Sequence, residues 1–290
     1  MTNLFKRKYV QGDGLNADNI FHRLFNYLLL LVLTFLVIAP IMIVVNTSLK
    51  SGADYASSSV FALPRNLHFE NYISAWNTGR MGTGFQNTFL LVVTSVTGSV
   101  LMGAMVAYII GRFKFKARGL LLTLFILPTF IPSITTQIAI FTVIRSLGLY
   151  NTIFAGIILF LATDIIQLYI FLQFMDNIPY SLDESAKVDG ASYFRIFISI
   201  ILPLTTPAIA TVAVLKTLFV YNELFIPMMY MPSSRLRTVT TALLQFSNDT
   251  STRWDLLSAG VVLIMIPTLV LYLFTQRFII SGVTSGSIKG

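Results

Sequence analysis

Between Asp183 and Phe197 the chain reads DESAKVDGASYFRIF, which packs three carboxylates (Asp183, Glu184, Asp189), the ammonium of Lys187 and Gly190 into one short block. Carboxylates at that density suit metal ligation, acid–base chemistry or charged docking. Neither His22 nor His68 lies in a cluster of acids at metal-ligand spacing, and no Ser/His/Asp set is evident, so a membrane enzyme is disfavoured. The chain has no G-x-x-x-x-G-K-[ST] loop and therefore no usual means of holding ATP and its magnesium ion. From its residues alone the block reads either as a helix–turn–helix at the membrane face or as a well-capped loop. A second set of polar residues interrupts apolar runs: Gln137, Asp164, Gln167, Lys216, Tyr221, Asn222 and Glu223. In a bilayer such groups face the protein interior or a solute path. Tyr221-Asn222-Glu223, beside Phe219 and Phe225, combines hydrogen-bonding groups with aromatic faces, a pairing suited to a polyol ring. Asp164 and Lys216 are better read as satisfying each other or backbone groups between helices.

The elements that position these residues follow from composition. Hydrophobic residues make up 55% of the chain and charged ones 11%, outside the range of soluble domains. Windows of about 20 apolar residues fall at Tyr27–Val45, Thr88–Ile110, Leu120–Ile144, Ile153–Phe174, Pro203–Phe219 and Leu256–Phe278. Their length and lack of strict alternation select helices over barrel strands. The expectation is an all-α membrane protein of six transmembrane helices: residues 1–26 an N-terminal segment, 27–280 the membrane domain and 281–290 a tail. The first span is too long for a signal-peptide core and reads as an uncleaved anchor. Chain-breaking Pro128 and Pro132 in the third span, and Pro203 and Pro207 in the fifth, should kink or interrupt those helices.

Orientation follows from basic residues in short loops. Lys6, Arg7, Lys8 and Arg23 precede the first span, and Arg112, Lys114, Lys116 and Arg118 link the second to the third. Both termini are therefore expected in the cytoplasm, as is the loop 176–197 carrying the charged block. The net charge of +8 is this topology signal; without a basic stripe interleaved with aromatics it makes no case for nucleic acid. Lys50–Gln86 and Phe225–Trp254 fall outside and read as ordered loops or short surface helices that connect, gate or dock a partner. The lack of cysteine excludes disulfides and thiolate metal sites.

Within the loop, Ser181-Leu-Asp-Glu184 matches a capping box that would start a short helix, and Gly190 suits the left-handed residue that ends one. A second helix would then run from Ala191 into the fifth span. Glu184-Ser185-Ala186-Lys-Val-Asp189-Gly190-Ala191, with Phe197, Ile200, Leu202 and Pro203 at the following positions, resembles the E-A-A-x-x-D-G-A-x5-F-x-x-I-x-L-P motif of ABC importer permeases. Ser185 in place of alanine is the one departure in its core. ENYISAW, VYNELFIP and the terminal QRFIISGVTSGSIKG look like the carbohydrate-uptake branch, which includes the smaller membrane subunit of the maltose importer.

What the resemblance implies is a heteromeric sugar importer of a bacterial or archaeal cytoplasmic membrane. Its other members would be a second similar permease, two ATPase subunits that bind ATP and magnesium, and an extracellular solute-binding protein. Glu184, Ser185, Ala186, Asp189, Gly190 and Ala191 would then form a coupling helix seated on an ATPase. Gln137, Tyr221, Asn222 and Glu223 are the candidates for the translocation path or its gate. An ABC permease for a non-sugar solute is the nearest alternative. A passive channel or secondary transporter, which would show inverted repeats or broken helices with central charges, is the more distant one.

Overall fold

The computed structural model describes residues 17–247 and 252–284, so Lys6–Lys8 and most of the C-terminal tail lie outside the described residues. Among the described residues the protein is helical, with a lone backbone bridge between Ser247 and Thr252. The first long helix, α1 (Ala17–Ser48), carries Pro40 without breaking. Two short helices, α2 (Gly52–Ser57) and α3 (Glu70–Thr78), lead to α4 (Met81–Leu91), which passes through a π turn at Val92–Val96 into α5 (Thr97–Arg112). Residues Met81–Arg112 thus form one continuous span, and α1 and the last helix supply two more.

The next three apolar runs are each bent. The helices α6 (Arg118–Ile126) and α7 (Ser133–Ser146) meet at 110°, α8 (Ile153–Leu161) and α9 (Ile165–Asp176) at 45°. Beyond α9 come α10 (Tyr180–Val188), α11 (Tyr193–Ile196), α12 (Leu202–Leu204) and α13 (Thr206–Asn222), with a 76° bend before α13. The short helices α14 (Phe225–Tyr230) and α15 (Val239–Ala242) follow, and the chain returns through α16 (Trp254–Thr284). Counting each bent pair as one crossing gives up to six spans, at the positions of the six apolar windows.

Proline explains two bends. Pro128 sits in a 3-10 turn and Pro132 precedes α7, where each lacks the N–H that would continue the helix. Pro203 and Pro207 flank the bend before α13, and the Thr205 hydroxyl donates back to the carbonyls of Ile201 (3.0 Å) and Leu202 (3.1 Å). The break at Ala162–Asp164 contains no proline. There the Asp164 carboxylate caps α9 by accepting the Gln167 amide at 2.8 Å.

The main core lies between α5, α9 and α13, around Leu91, Ala104, Phe160, Leu168, Phe171 and Ile201. Gly103 lets α5 and α9 approach closely: a Cβ there would stand 2.5 Å from the Gln167 amide nitrogen. A second core joins α3, α4, α15 and α16 around Ala75, Met81, Val239 and Phe246, so the segments 50–86 and 225–247 are packed against the bundle. Lys50 is fully buried there, donating to Ser59 O (2.9 Å) and the Ser58 hydroxyl (3.2 Å). The α1 helix has its apolar side chains almost wholly exposed, as expected of a lipid- or partner-facing span.

Candidate coupling surface and solute path

The charged block folds as two short helices at one end of the bundle. The first, α10, begins one residue after Pro179, whose ψ of 136° marks the last extended position. The expected capping box is therefore not formed. With Pro179 fixing φ at −60°, helical geometry starts at Tyr180, and Ser181 lies inside the first turn, too late to cap it. The cap found downstream is Ser192, whose hydroxyl accepts the Arg195 amide at 3.3 Å and starts α11.

The other end of α10 forms as the glycine suggests. Gly190 takes φ +79°, the Gly190 amide donates to Lys187 O and the Ala191 amide to Ala186 O, both at 2.9 Å. These two bonds make a Schellman ending, and Ala191 is partly buried against the main core, to which Ala186 belongs. Glu184, Ser185, Lys187, Val188, Asp189 and Gly190 are all exposed, so the helix presents a continuous mixed-charge face.

The inner face of α10 is held to α5. Asp183 and Ala186 are its only buried residues. Asp183 Oδ2 stands 3.4 Å from Arg112 Nε, with side chains 8% and 4% exposed. Arg112 Nη2 donates to Ile178 O at 2.9 Å, its guanidinium lies 4.3 Å from the Tyr180 ring centroid, and the Tyr180 hydroxyl donates to Gly111 O at 2.8 Å. Beyond this, Phe113 meets Tyr193 edge-on at 4.9 Å, and Lys187 lies 4.6 Å over the same Tyr193 ring. No local pattern pairs residues so far apart in sequence, and Arg112 carried only a topology signal.

The membrane-embedded polar residues separate into two groups. Asp164, Gln167, Lys216 and Phe219, with aliphatic neighbours, line a cavity of about 270 Å³ at the break between α8 and α9. Lys216 donates to Ala162 O at 2.8 Å, supplying a partner to a carbonyl freed by the break, and stands 3.9 Å from Asp164. Gln167 exchanges hydrogen bonds with Ser99, donating to its carbonyl at 2.6 Å and accepting from its hydroxyl at 3.1 Å. Irregular backbone is tolerated at membrane depth where it lines a cavity. Asp164 and Lys216 therefore satisfy neighbours and face the cavity at once. A broken helix with central charges is thus present in this chain and does not by itself mark a secondary transporter.

Gln137, Tyr221, Asn222 and Glu223 are not gathered into one cluster. Gln137 Oε1 accepts the Tyr230 hydroxyl at 2.6 Å, joining α7 to α14. Tyr221 donates to Ile264 O at 3.0 Å, toward α16. Asn222 is exposed and donates to Leu218 O in its own helix. Glu223 Oε1 accepts the amides of Phe225 (2.8 Å) and Ile226 (3.2 Å), capping α14, while its carbonyl accepts from Thr240. Just before α16, Arg253 is held by Asp255 through bonds of 3.0 and 2.8 Å, which also raise the pKa of its guanidinium.

Known proteins resemble this chain along most of its length. Residues 99–285 match the family model described as the binding-protein-dependent transport system inner membrane component. The galactooligosaccharide transport permease GanQ of Bacillus subtilis is 32% identical over 92% of this chain and 95% of its own. The melibiose/raffinose/stachyose import permease MelC of the same organism is 28% identical over 87% and 91%. A chain of the bacterial ABC transporter that imports alginate shares the fold, with a TM-score of 0.79 and 22% identity over 91% of this chain and 98% of that one. With the family model spanning the chain from α5 through the charged block to α16, this chain is a member of the binding-protein-dependent transport family, a multi-pass inner membrane component of ABC transporters.

Proposed function

We propose that the chain is a permease subunit of an ABC importer and moves a sugar, in particular an oligosaccharide, delivered by an extracellular solute-binding protein. The observation that carries this is α10: a short exposed helix, ended by a left-handed glycine and anchored inward by a buried ion pair, at the place of the family's coupling motif. Hydrophobic burial does not account for its exposed mixed-charge face, whereas docking to an ATPase does. The complex would contain a second homologous permease and two ATPase subunits holding ATP and magnesium. Six crossings with both termini in the cytoplasm complete the reading.

The sugar assignment rests on the relatives named for galactooligosaccharides and for melibiose, raffinose and stachyose. The chemistry is compatible with it. The cavity at the α8–α9 break offers a carboxylate, an amide, an ammonium and the Phe219 ring among aliphatic walls. Gln137, Tyr221, Asn222 and Glu223 would border the path or its outer gate, positioned by the contacts they make. The test is to purify the complex with its ATPase and measure calorimetrically what its solute-binding protein binds. Binding of an oligosaccharide from a panel of α- and β-galactosides and maltodextrins supports the reading. Binding of a phosphate ester, polyamine or peptide in their place overturns the sugar assignment.

A further inference from the structure

The helix α10 has almost no apolar anchor. Among its nine residues only Asp183 and Ala186 are buried, and alanine offers little surface. A helix held so lightly transmits a push only if something other than hydrophobic packing ties it to the bundle. Its covalent ties run back through Ile178 and Pro179 to α9 and forward through Gly190 and α11 toward α13. The remaining tie is the Arg112 assembly at the cytoplasmic end of α5.

Resting on the coupling role assigned to α10, we infer that Arg112 is a positioning residue that carries motion of α10 into the second span. The guanidinium makes three different contacts with the segment that begins α10: the Asp183 carboxylate at 3.4 Å, the Ile178 carbonyl at 2.9 Å and the Tyr180 ring at 4.3 Å. The Tyr180 hydroxyl returns the link by donating to Gly111 O at 2.8 Å, one residue before Arg112. The segment is thus fixed to α5 from both sides, and with the Arg112 and Asp183 side chains nearly inaccessible to water, competition from solvent is small. Arg112 Nε and Asp183 Oδ2 have no other hydrogen-bond partner among the described residues, so loss of either charge leaves the other buried and unmatched. A planar, five-donor guanidinium can bond a carboxylate and a carbonyl and stack on a ring together, whereas an ammonium cannot. The consequence is that one docking helix drives two sets of elements: α9, α11 and α13 move through the chain, and α4–α5 move through Arg112.

The experiment uses the assembled complex in nanodiscs, with any cysteines of the partner subunits replaced to match this chain's natural lack of cysteine. Spin labels at Val188→Cys on α10 and Met102→Cys on α5, both exposed, report the separation of the two helices with and without ATP plus vanadate. Labels at Val188→Cys and at exposed Ala56→Cys on α2 report whether α10 moves relative to the outer face at all. In the otherwise unaltered chain the first distance should stay constant while the second shifts. In Arg112→Gln and Asp183→Asn the first distance should shift or broaden on adding ATP and vanadate, and the double variant should match the singles. Tyr180→Phe, a milder change that keeps the ring, should broaden it less, and Arg112→Lys should only partly restore it. A constant α10–α5 distance in Arg112→Gln, with α10 still moving against α2, overturns the positioning role alone. No movement of α10 against α2 in the unaltered complex overturns the coupling role and the inference with it.

Discussion

Gly190 offers the sharpest perturbation because its environment removes the usual ambiguity. A Cβ added there meets nothing within 4 Å, so substitution produces no clash, and the cost is that of holding an L-residue at φ +79°. For alanine that cost is about 1 kcal/mol, for valine about 2 kcal/mol, and asparagine tolerates the conformation best. Against a folding stability on the order of 5–15 kcal/mol the protein stays folded and inserted. Locally the effect is larger, since about 1.4 kcal/mol shifts the balance between the closed and the frayed helix end tenfold. Gly190→Asn, Gly190→Ala and Gly190→Val should therefore lower the solute moved per ATP hydrolysed in increasing order, with assembled complex recovered in equal amount. The assay is uptake and phosphate release measured on the same proteoliposomes. Normal uptake in Gly190→Val, or equal damage from asparagine and valine, would refute the reasoning, the second outcome by pointing to side-chain size.

Cysteines at Lys116 and Lys187 should react with a membrane-impermeant thiol reagent only after cells are opened, whereas one at Ser58 should react in intact cells; labelling of position 187 from outside would invert the topology. Asn222→Ala should leave thermal stability unchanged, because the exposed amide bonds only its own helix, and a change in uptake or selectivity would place it on the path. Glu223→Ala should cost about 1 kcal/mol by uncapping α14, read as a lower melting temperature, and normal transport in that variant would remove Glu223 from the gate. Gly103→Ala should displace Gln167 from Ser99 and destabilise the complex by about 1–3 kcal/mol, seen in the same melting assay; an unchanged melting temperature would contradict the close α5–α9 contact.

What could be read in the sequence was what the backbone or the solvent decides locally. Each apolar window corresponds to a long helix or a bent pair, because length and apolarity answer to membrane thickness alone. Pro128, Pro132, Pro203 and Pro207 marked two bends, and Gly190 marked the end of α10, since each acts through its own φ or missing N–H. The third bend lies within a single apolar window that contains no proline. Asp164-Ile-Ile-Gln167 has the spacing of a helix cap and was the available signal, outweighed by hydropathy. The capping pattern at Ser181 puts the start of α10 two residues late, because the preceding proline has already set the boundary. Contacts that decide what Arg112, Gln137, Tyr221 and Glu223 touch join distant segments, and no spacing rule within one element encodes them.

The most direct measurement of the central claim is solute accumulation in proteoliposomes holding this permease with its paired permease and ATPase subunits. The solute is the labelled oligosaccharide that calorimetry identifies. Accumulation against a gradient should occur only with ATP and magnesium inside the cytoplasmic-face compartment and the solute-binding protein on the opposite face, and should cease when either is withheld. Equal accumulation without ATP, or without the binding protein, would contradict an ATP-driven, binding-protein-dependent importer.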